Sequence, residues 1–291
     1  MSGPHRARLA DGRWHFQHGP IDLLISADGD AAACAAGIDA AWRRFGTLLG
    51  ELVGELALLR ACAGSDAVPA GDCARRMHAA VLPYRPTFIT PMAAVAGAVA
   101  DTVLQAFVRP GIARAAVDNG GDIALHVAPG AGDYTVGVAI DTGGPRSTRE
   151  VPVPWVLRIR ADDPWRGVAT SGWRGRSLSL GIADSVTVVA ADGARADAAA
   201  TMIANAIDVD HPAVRRARAC DVRDDTDLGT LPVTVGVGPL PDDAIERALN
   251  AGQARARGYI ARGLAAGALL VLAGRWRAVG HPLRPGLRHA A

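Results

Sequence analysis

The sequence has no lysine, and all 31 of its basic residues are arginine. This excludes a Schiff-base lysine, a catalytic lysine base and the lysine of a phosphate-binding Walker loop. Aromatic residues make up only 4%, so the core must be built from Ala, Val, Leu and Ile, with 34 glycines allowing close backbone approach. The four cysteines, Cys34, Cys62, Cys73 and Cys220, show no CxxC spacing. They are too sparse for a disulfide framework or a structural zinc site, which points to a reduced, cytoplasmic setting. Long apolar runs are missing as well. The longest, Gly263 to Gly274, has 12 residues between Arg262 and Arg275, too short to span a bilayer, so no membrane partner is expected. The opening residues carry no apolar core or small-residue cleavage site, and no signal peptide is expected. With 31 basic against 29 acidic residues the net charge is +2, which supplies no field to steer a polyanion. No nucleic-acid partner is expected. No GxSxG elbow surrounds the serines, which disfavours a serine hydrolase. The acidic loop Asp221 to Asp227 lacks the glycine and final glutamate of a calcium-binding loop and reads as a solvated turn.

What is present describes a globular protein. At 291 residues and 49% hydrophobic content, the chain can bury a large core as one compact domain over 1–291, with room for two lobes. Residues 280–291 read as a loosely held tail. Arg13 to Ala27, broken at Gly19-Pro20, reads as a hairpin, with His15 and His18 on a solvent-facing strand edge rather than at a metal. Ile38, Trp42, Phe45, Leu49, Leu52, Leu56 and Leu59 keep a three-to-four spacing, which predicts one long amphipathic helix from Asp30 to Ala61. A short helix is predicted around Cys73 to Val81 and another over Pro91 to Val108. Strands are predicted at Ala113 to Asp118, Asp122 to Val127, Tyr134 to Ile140, Pro154 to Arg160, Pro232 to Gly238 and Ala268 to Ala278. Pro152 and Pro154 push the fourth of these toward a sheet edge. An Arg-rich helix fills Pro241 to Leu264. Helices and strands mix without regular βαβ alternation, so the fold class is α+β, with mixed and antiparallel sheets packed with helices.

The chemistry centres on Ala183 to Asn205, which reads as a strand, an Asp192-Gly193 turn and a helix. Asp197 and Thr201 lie four apart in that helix, so their Cβ atoms are roughly 5–6 Å apart on one face. A carboxylate and a hydroxyl are hard ligands suited to magnesium or calcium. An Asp stabilising a helix start and a Thr bonding back to the preceding turn explain the same spacing, and spacing alone favours that plainer reading. Three further stretches stand out. Val95 to Asp101, VAGAVAD, is a small-residue helix that another backbone or a flat ligand can approach closely. Asn119-Gly120-Gly121-Asp122 is a hairpin signal that also exposes backbone N–H groups. Val168 to Gly181 reads as a loop dense in hydroxyls and arginines, where Thr170, Ser171 and Ser177 can donate to phosphate or ribose oxygens and Arg174 and Arg176 can pair with phosphates. An ordinary solvated loop accounts for that composition equally.

Taken in order, four segments resemble the ApbE-like superfamily, which contains the magnesium-dependent FAD:protein FMN transferases. They are VAGAVAD (Val95 to Asp101), Asn119 to Asp122, Thr170-Ser171-Gly172 and ADAAAT (Ala196 to Thr201). The resemblance implies an ApbE-like fold with Asp197 and Thr201 as Mg²⁺ ligands and a backbone carbonyl near Val95 or Ala96 as a third. It further implies a flavin beside Val95, Gly97 and Asp101, with Asn119, Gly120, Gly121, Asp122, Thr170, Ser171, Gly172 and Ser177 around a nucleotide. The departures concern activity. Transferases of this superfamily carry a lysine where this chain has Ala96, and a histidine-rich segment ending in Asp-Pro where it has Gly175 to Asp184, GRSLSLGIAD. The chain looks like a cytosolic, poorly characterised branch. Its N-terminal DGRWHFQHGPIDLLI pattern is similar to members in bacteria that use methanopterin-type one-carbon carriers. The expectation is a binder of FAD, FMN, a pterin or a related nucleotide cofactor, with Mg²⁺. The alternatives are a Mg²⁺-dependent flavin transferase, with Asp184 as candidate base by position, and a non-catalytic pathway scaffold. Whether the chain is an enzyme stays open, and so does assembly into a homo-oligomer.

Overall fold

A computed structural model describes residues 3–64, 67–138, 155–280 and 283–285. In chain order the elements are β1 (His5–Arg8), β2 (Trp14–His18), β3 (Ile21–Gly29), α1 (Ala31–Gly54), α2 (Leu56–Leu59), α3 (Asp72–Val81), α4 (Val95–Phe107), β4 (Ile112–Asp118), β5 (Ile123–Val127) and β6 (Tyr134–Val138). There follow β7 (Trp155–Ile159), β8 (Gly167–Ser171), β9 (Ser185–Ala190), α5 (Gly193–Ala206), β10 (Val214–Arg218), α6 (Ala219–Val222), β11 (Pro232–Val237), α7 (Asp242–Ala261), β12 (Gly267–Leu272), β13 (Arg275–Gly280) and β14 (Leu283–Pro285). The α+β class is as expected. Two compact units emerge, one made of Met1–Tyr134, Ile159–Ala169 and Ala190–Ala198, the other of Thr135–Arg158, Thr170–Val189 and Ala199–Ala291.

In the first unit an antiparallel sheet runs in the order β1-β2-β3-β4-β5-β8. Alternation explains which side it buries. Phe16, Leu23, Ile25, Ala115 and Val117 point to one face and are almost wholly buried. Phe16 meets Trp42 and Phe45 of α1 at ring-centroid distances of 5.1 and 5.4 Å. This aromatic contact anchors the long helix on the sheet. Helix α1 starts at Asp30, whose carboxylate accepts the Ala33 N–H at 2.8 Å. Its crossing with α4 is close because Gly37 has no side chain: a Cβ there would lie 2.9 Å from the Phe107 carbonyl oxygen. Between β4 and β5, Gly120 and Gly121 adopt φ of 69° and 105°, the two-residue turn that the Asn-Gly-Gly sequence predicts.

In the second unit β9, β12 and β13 pair antiparallel in that order, β10 pairs with β11, and β7 lies between β14 and β6. Helix α7 carries four small buried positions, Ala244, Ala248, Gly252 and Ala256, and a Cβ at Gly252 would lie 2.2 Å from the Ile207 side chain.

Several expectations need correction. The long helix stops at Gly54 and resumes for one turn at Leu56, with Glu55 out of helical geometry (φ −110°, ψ 12°) while its carboxylate takes the N–H groups of Ala70 and Gly71. Pro91 opens a 3₁₀ turn to Ala94 before α4 begins. His15 is on no strand edge, since it is paired with both β1 and β3, and its Nε2 lies 2.9 Å from the Asp22 carboxylate, whereas His18 is paired with β3 alone. Strand β7 is central in its sheet, between β14 and β6, and starts at Trp155, after both prolines that were expected to hold it at an edge. Ala268 to Ala278 is a hairpin, turned by Ala273 (φ 49°) and Gly274 (φ 77°). The expected Val168 to Gly181 loop begins as strand β8, and the acidic turn from Asp221 overlaps α6. Strands β1 and β10, rich in arginine, carry no apolar alternation to announce them. Within the expected tail, Leu283–Pro285 pair with β7. The polar stretch Asp141 to Glu150, which reads from the sequence as a loop between the strands at Tyr134 to Ile140 and Pro154 to Arg160, lies outside the described residues.

Candidate active site

Two helix starts meet in the first unit. The backbones of Gly97 on α4 and Gly193 on α5 are in contact, since a Cβ at Gly97 would lie 2.1 Å from the Gly193 carbonyl oxygen. A helix start leaves its first N–H groups without intrahelical partners, and here carboxylates from the opposite helix take them. Asp197 of α5 accepts the Gly97 N–H at 3.1 Å. Asp101 of α4 accepts the Gly193 and Ala194 N–H groups, both at 2.9 Å. Asp192 takes the Arg195 N–H at 2.8 Å as an ordinary N-cap. The first turn of α5 therefore has its donors filled by protein carboxylates, and a phosphate finds no vacant N–H there.

The two reciprocal carboxyls differ in exposure. Asp101 is 8% exposed. Burial pushes its proton affinity up, to about 6, helped by the nearby Asp192 charge and opposed by the two N–H donors. Asp197 is crowded by protein atoms yet keeps part of its surface open. Burial pushes it up to about 7, against the pull of the Gly97 and Ala96 backbone. Among the described residues Asp197 has no Arg or His ion pair. Beside it, the Asn119 side-chain amide donates to the Ala96 carbonyl oxygen at 3.1 Å, and Asn119 is itself buried. Thus the carbonyl expected as a third metal ligand already accepts one hydrogen bond, although a carbonyl oxygen has two lone pairs.

The remaining sequence-predicted residues fall as follows. Val95 and Ala96 open α4 half-buried. Gly121 donates its N–H to the Asp118 carboxylate at 2.8 Å, and the Asn119 N–H reaches the Asp122 carbonyl at 2.9 Å, so the glycine turn has two of its N–H groups engaged. Gly120 is exposed. Thr201 follows Asp197 one turn along α5, half-buried. In the second unit, the Thr170 and Thr187 hydroxyls are 2.9 Å apart. Ser171 is half-buried and Ser177 exposed. Gly172 packs on the Asp184 carbonyl, 2.4 Å from where its Cβ would be. Asp184 accepts the Ala273 N–H at 2.6 Å with Oδ2, and the Arg174 Nε lies 3.4 Å from Oδ1. Arg174 also stacks over Trp173 at 4.8 Å. Asp184 thereby holds the β12–β13 turn.

A family model described as "AbpE bacteria" matches residues 6–278. The chain belongs to this family. The ApbE-like resemblance of the four segments is borne out at that level. Among relatives, a UPF0280 protein of Methanothrix thermoacetophila is 40% identical over 124 residues, 42% of this chain and 48% of that protein. Another, from Methanosarcina acetivorans, is 38% identical over 131 residues, 44% of this chain and 47% of that protein. The chain spans about half the length of these curated relatives. Among solved structures, the apo flavinyl transferase ApbE of Pseudomonas stutzeri matches with a TM-score of 0.44 and 12% identity, covering 95% of this chain and 93% of that one. An ApbE protein of Thermotoga maritima matches at 0.40 and 14%, covering 94% and 96%.

The donor chemistry at Asp197 fits a hard divalent cation. Magnesium usually keeps several waters and takes one or two carboxylates together with substrate phosphates. A partly open carboxylate with no Arg or His partner among the described residues is a donor of the kind such an ion takes. It does not meet the demand of a cage made only of protein groups: among the described residues no group of three or more His, Cys, Asp or Glu side chains is placed to hold a metal. Among those residues, too, no helix is long and apolar enough to cross a membrane. What sequence reasoning missed is the capping role of Asp101 and Asp192. The signal was there in two near-identical stretches, Gly97 to Asp101 (GAVAD) and Gly193 to Asp197 (GARAD).

Proposed function

We propose that the chain is a cytoplasmic binder of a phosphate-bearing flavin or pterin cofactor, taken up together with Mg²⁺ at Asp197. The observation that carries this reading is the Asp197 carboxyl itself. It is crowded enough to be pushed up to about 7, partly open, and without an Arg or His partner among the described residues. A buried charge of this kind is costly unless paired, and a cation bridging it to a ligand phosphate supplies the pair. Asp197 and Thr201 would hold the metal, which when bound would neutralise phosphate charge. Asn119 would hold the Ala96 carbonyl in place beside it, and a flat ring would lie against the half-buried Val95 and Ala96, the space at Gly97 being filled by the Gly193 backbone. The methanopterin-type one-carbon setting rests on the N-terminal resemblance. Titration of the protein with FAD, FMN and a methanopterin analogue, followed by fluorescence with and without Mg²⁺, tests the reading. Mg²⁺-dependent binding of at least one is expected, and binding of none overturns it.

Transfer of a flavin nucleotide from FAD is the second reading, favoured by the retained Asp197 and Thr201 pair. Two features rank it lower. Ala96 stands where the resemblance implies a lysine, and the oxygens of Asp184 are occupied by the Ala273 N–H and Arg174. Release of AMP from FAD and Mg²⁺ in the presence of an acceptor would raise it above binding.

A further inference from the structure

The GAVAD and GARAD stretches differ only at the middle residue, Val99 against Arg195, and they fold into equivalent places. In each, glycine sits in the first turn of a helix and aspartate four residues on, about 6 Å along the axis. Each aspartate accepts the N–H of the other stretch's glycine: Asp101 from Gly193 at 2.9 Å and Asp197 from Gly97 at 3.1 Å. Both glycines are needed for this. A Cβ at Gly97 would lie 2.1 Å from the Gly193 carbonyl oxygen, and one at Gly193 would lie 2.9 Å from that of Gly97. The likeness ends one turn later, where Asp197 is followed by Thr201 but Asp101 by Gln105, whose Oε1 accepts from Arg76 at 3.0 Å. Asp101 is also the more deeply buried of the two, and it takes two donors where Asp197 takes one. One half of the pair is thus closed and structural, and the other keeps an open face.

We propose that Asp101 is a positioning residue for Asp197: by holding the Gly193 and Ala194 N–H groups it fixes where α5 begins against α4, which places the Asp197 carboxylate at Gly97. This deepens the reading of Asp197 as the metal-binding carboxylate and rests on it for its functional consequence. The physical link is short. Asp197 is one turn from the two amides that Asp101 grips, and a helical turn moves as a unit. Asp192 caps the same helix start through Arg195 but does not reach α4, so it fixes the helix end without fixing its place.

Amide hydrogen exchange on the full chain separates these roles. The Gly97 N–H lies in the first turn of its helix, and its protection reports the Asp197 carboxylate. Asp101→Asn replaces one acceptor oxygen by a donor that faces an N–H. It is expected to speed Gly97 exchange at least tenfold while the β9 and β12 amides keep their protection, and to raise the Mg²⁺ midpoint at least tenfold. Asp192→Ala is expected to expose the Arg195 amide and leave Gly97 unchanged. Loss of protection at Gly193 and Ala194 with Gly97 still protected in Asp101→Asn overturns the proposal. So does an equal loss at Gly97 in Asp192→Ala. If wild type shows no response to Mg²⁺, the metal reading of Asp197 fails, and the Gly97 exchange still decides the positioning role. Should Asp101→Asn not fold, Asp101→Glu keeps both acceptor oxygens one methylene further out. It must then accelerate Gly97 exchange, and an unchanged rate overturns the proposal.

Discussion

Replacing Asp197 by Asn should change the pH dependence of stability in a direction opposite to that of a salt-bridged aspartate. Its proton affinity is raised by burial, so between the unfolded carboxylate range near 4 and the folded value of about 7 the native state holds more protons than the unfolded chain. Stability in chelator-treated wild type must then fall as pH rises through that window. Carrying a carboxyl from 3.8 to about 7 corresponds to about 4 kcal/mol, at ~1.4 kcal/mol per tenfold change. The open part of the side chain admits water, whose screening reduces this to about 2 kcal/mol. Asn keeps an acceptor for the Gly97 N–H and carries no charge, so its contribution is flat over the same range. Urea unfolding at pH 5 and pH 8 measures the difference, and Asp197→Asn is expected to gain about 1 kcal/mol on wild type between these two conditions, the rest of the fall lying below pH 5. Asp101, pushed up to about 6, falls in the same direction, and because its charge is among the causes that raise Asp197 the measured difference belongs to the pair. Added Mg²⁺ at pH 8 should stabilise wild type, by an amount growing with the logarithm of its concentration, and leave Asp197→Asn unmoved. Equal pH slopes in the two proteins would refute the reasoning, because a carboxylate that is not desolvated needs no cation.

Three further substitutions probe the surrounding structure. Gly97→Ala drives a Cβ to 2.1 Å from a backbone oxygen that has no side-chain freedom to yield. It should cost about 3 kcal/mol or more, seen as a lower midpoint in thermal or urea unfolding. Asn119→Ala removes the donor on the Ala96 carbonyl; a loss of about 1–2 kcal/mol is expected, together with a weaker Mg²⁺ response. Asp184→Ala leaves the Ala273 N–H unpaired at a residue held at φ 49°. It should lower stability by about 1–3 kcal/mol, with the loss concentrated in the β12–β13 amides under hydrogen exchange.

Much of the local structure could be read from residue patterns, because periodicity and turn chemistry act over a few positions. The Ser185–Ala190 strand and the helix after it, the Gly120-Gly121 turn and the small-residue helix from Val95 all follow from such rules. The hairpin at Ala273 did not, since a left-handed alanine gives no compositional cue. Strand β8 hid among hydroxyls and glycines because five residues are too few to establish a period. The site shows the same division. Asp197 and Thr201 were visible as a spaced pair, but spacing could not distinguish a ligand from a cap. The structure gives Asp197 a capping bond to Gly97 and, beside it, an open face. Asp101 and Asn119, expected at a cofactor, instead hold an N–H pair and a carbonyl, and those bonds join segments far apart in the chain. Only the matching GAVAD and GARAD stretches hinted at that meeting.

The central claim is that Asp197 carries a cation needed to bind a phosphate-bearing cofactor. Calorimetric titration of FAD into wild type and Asp197→Ala, each with Mg²⁺ and with chelator, tests it most directly. Binding in wild type that requires Mg²⁺ and disappears in Asp197→Ala is the predicted result. FAD binding of equal strength in all four conditions would contradict it.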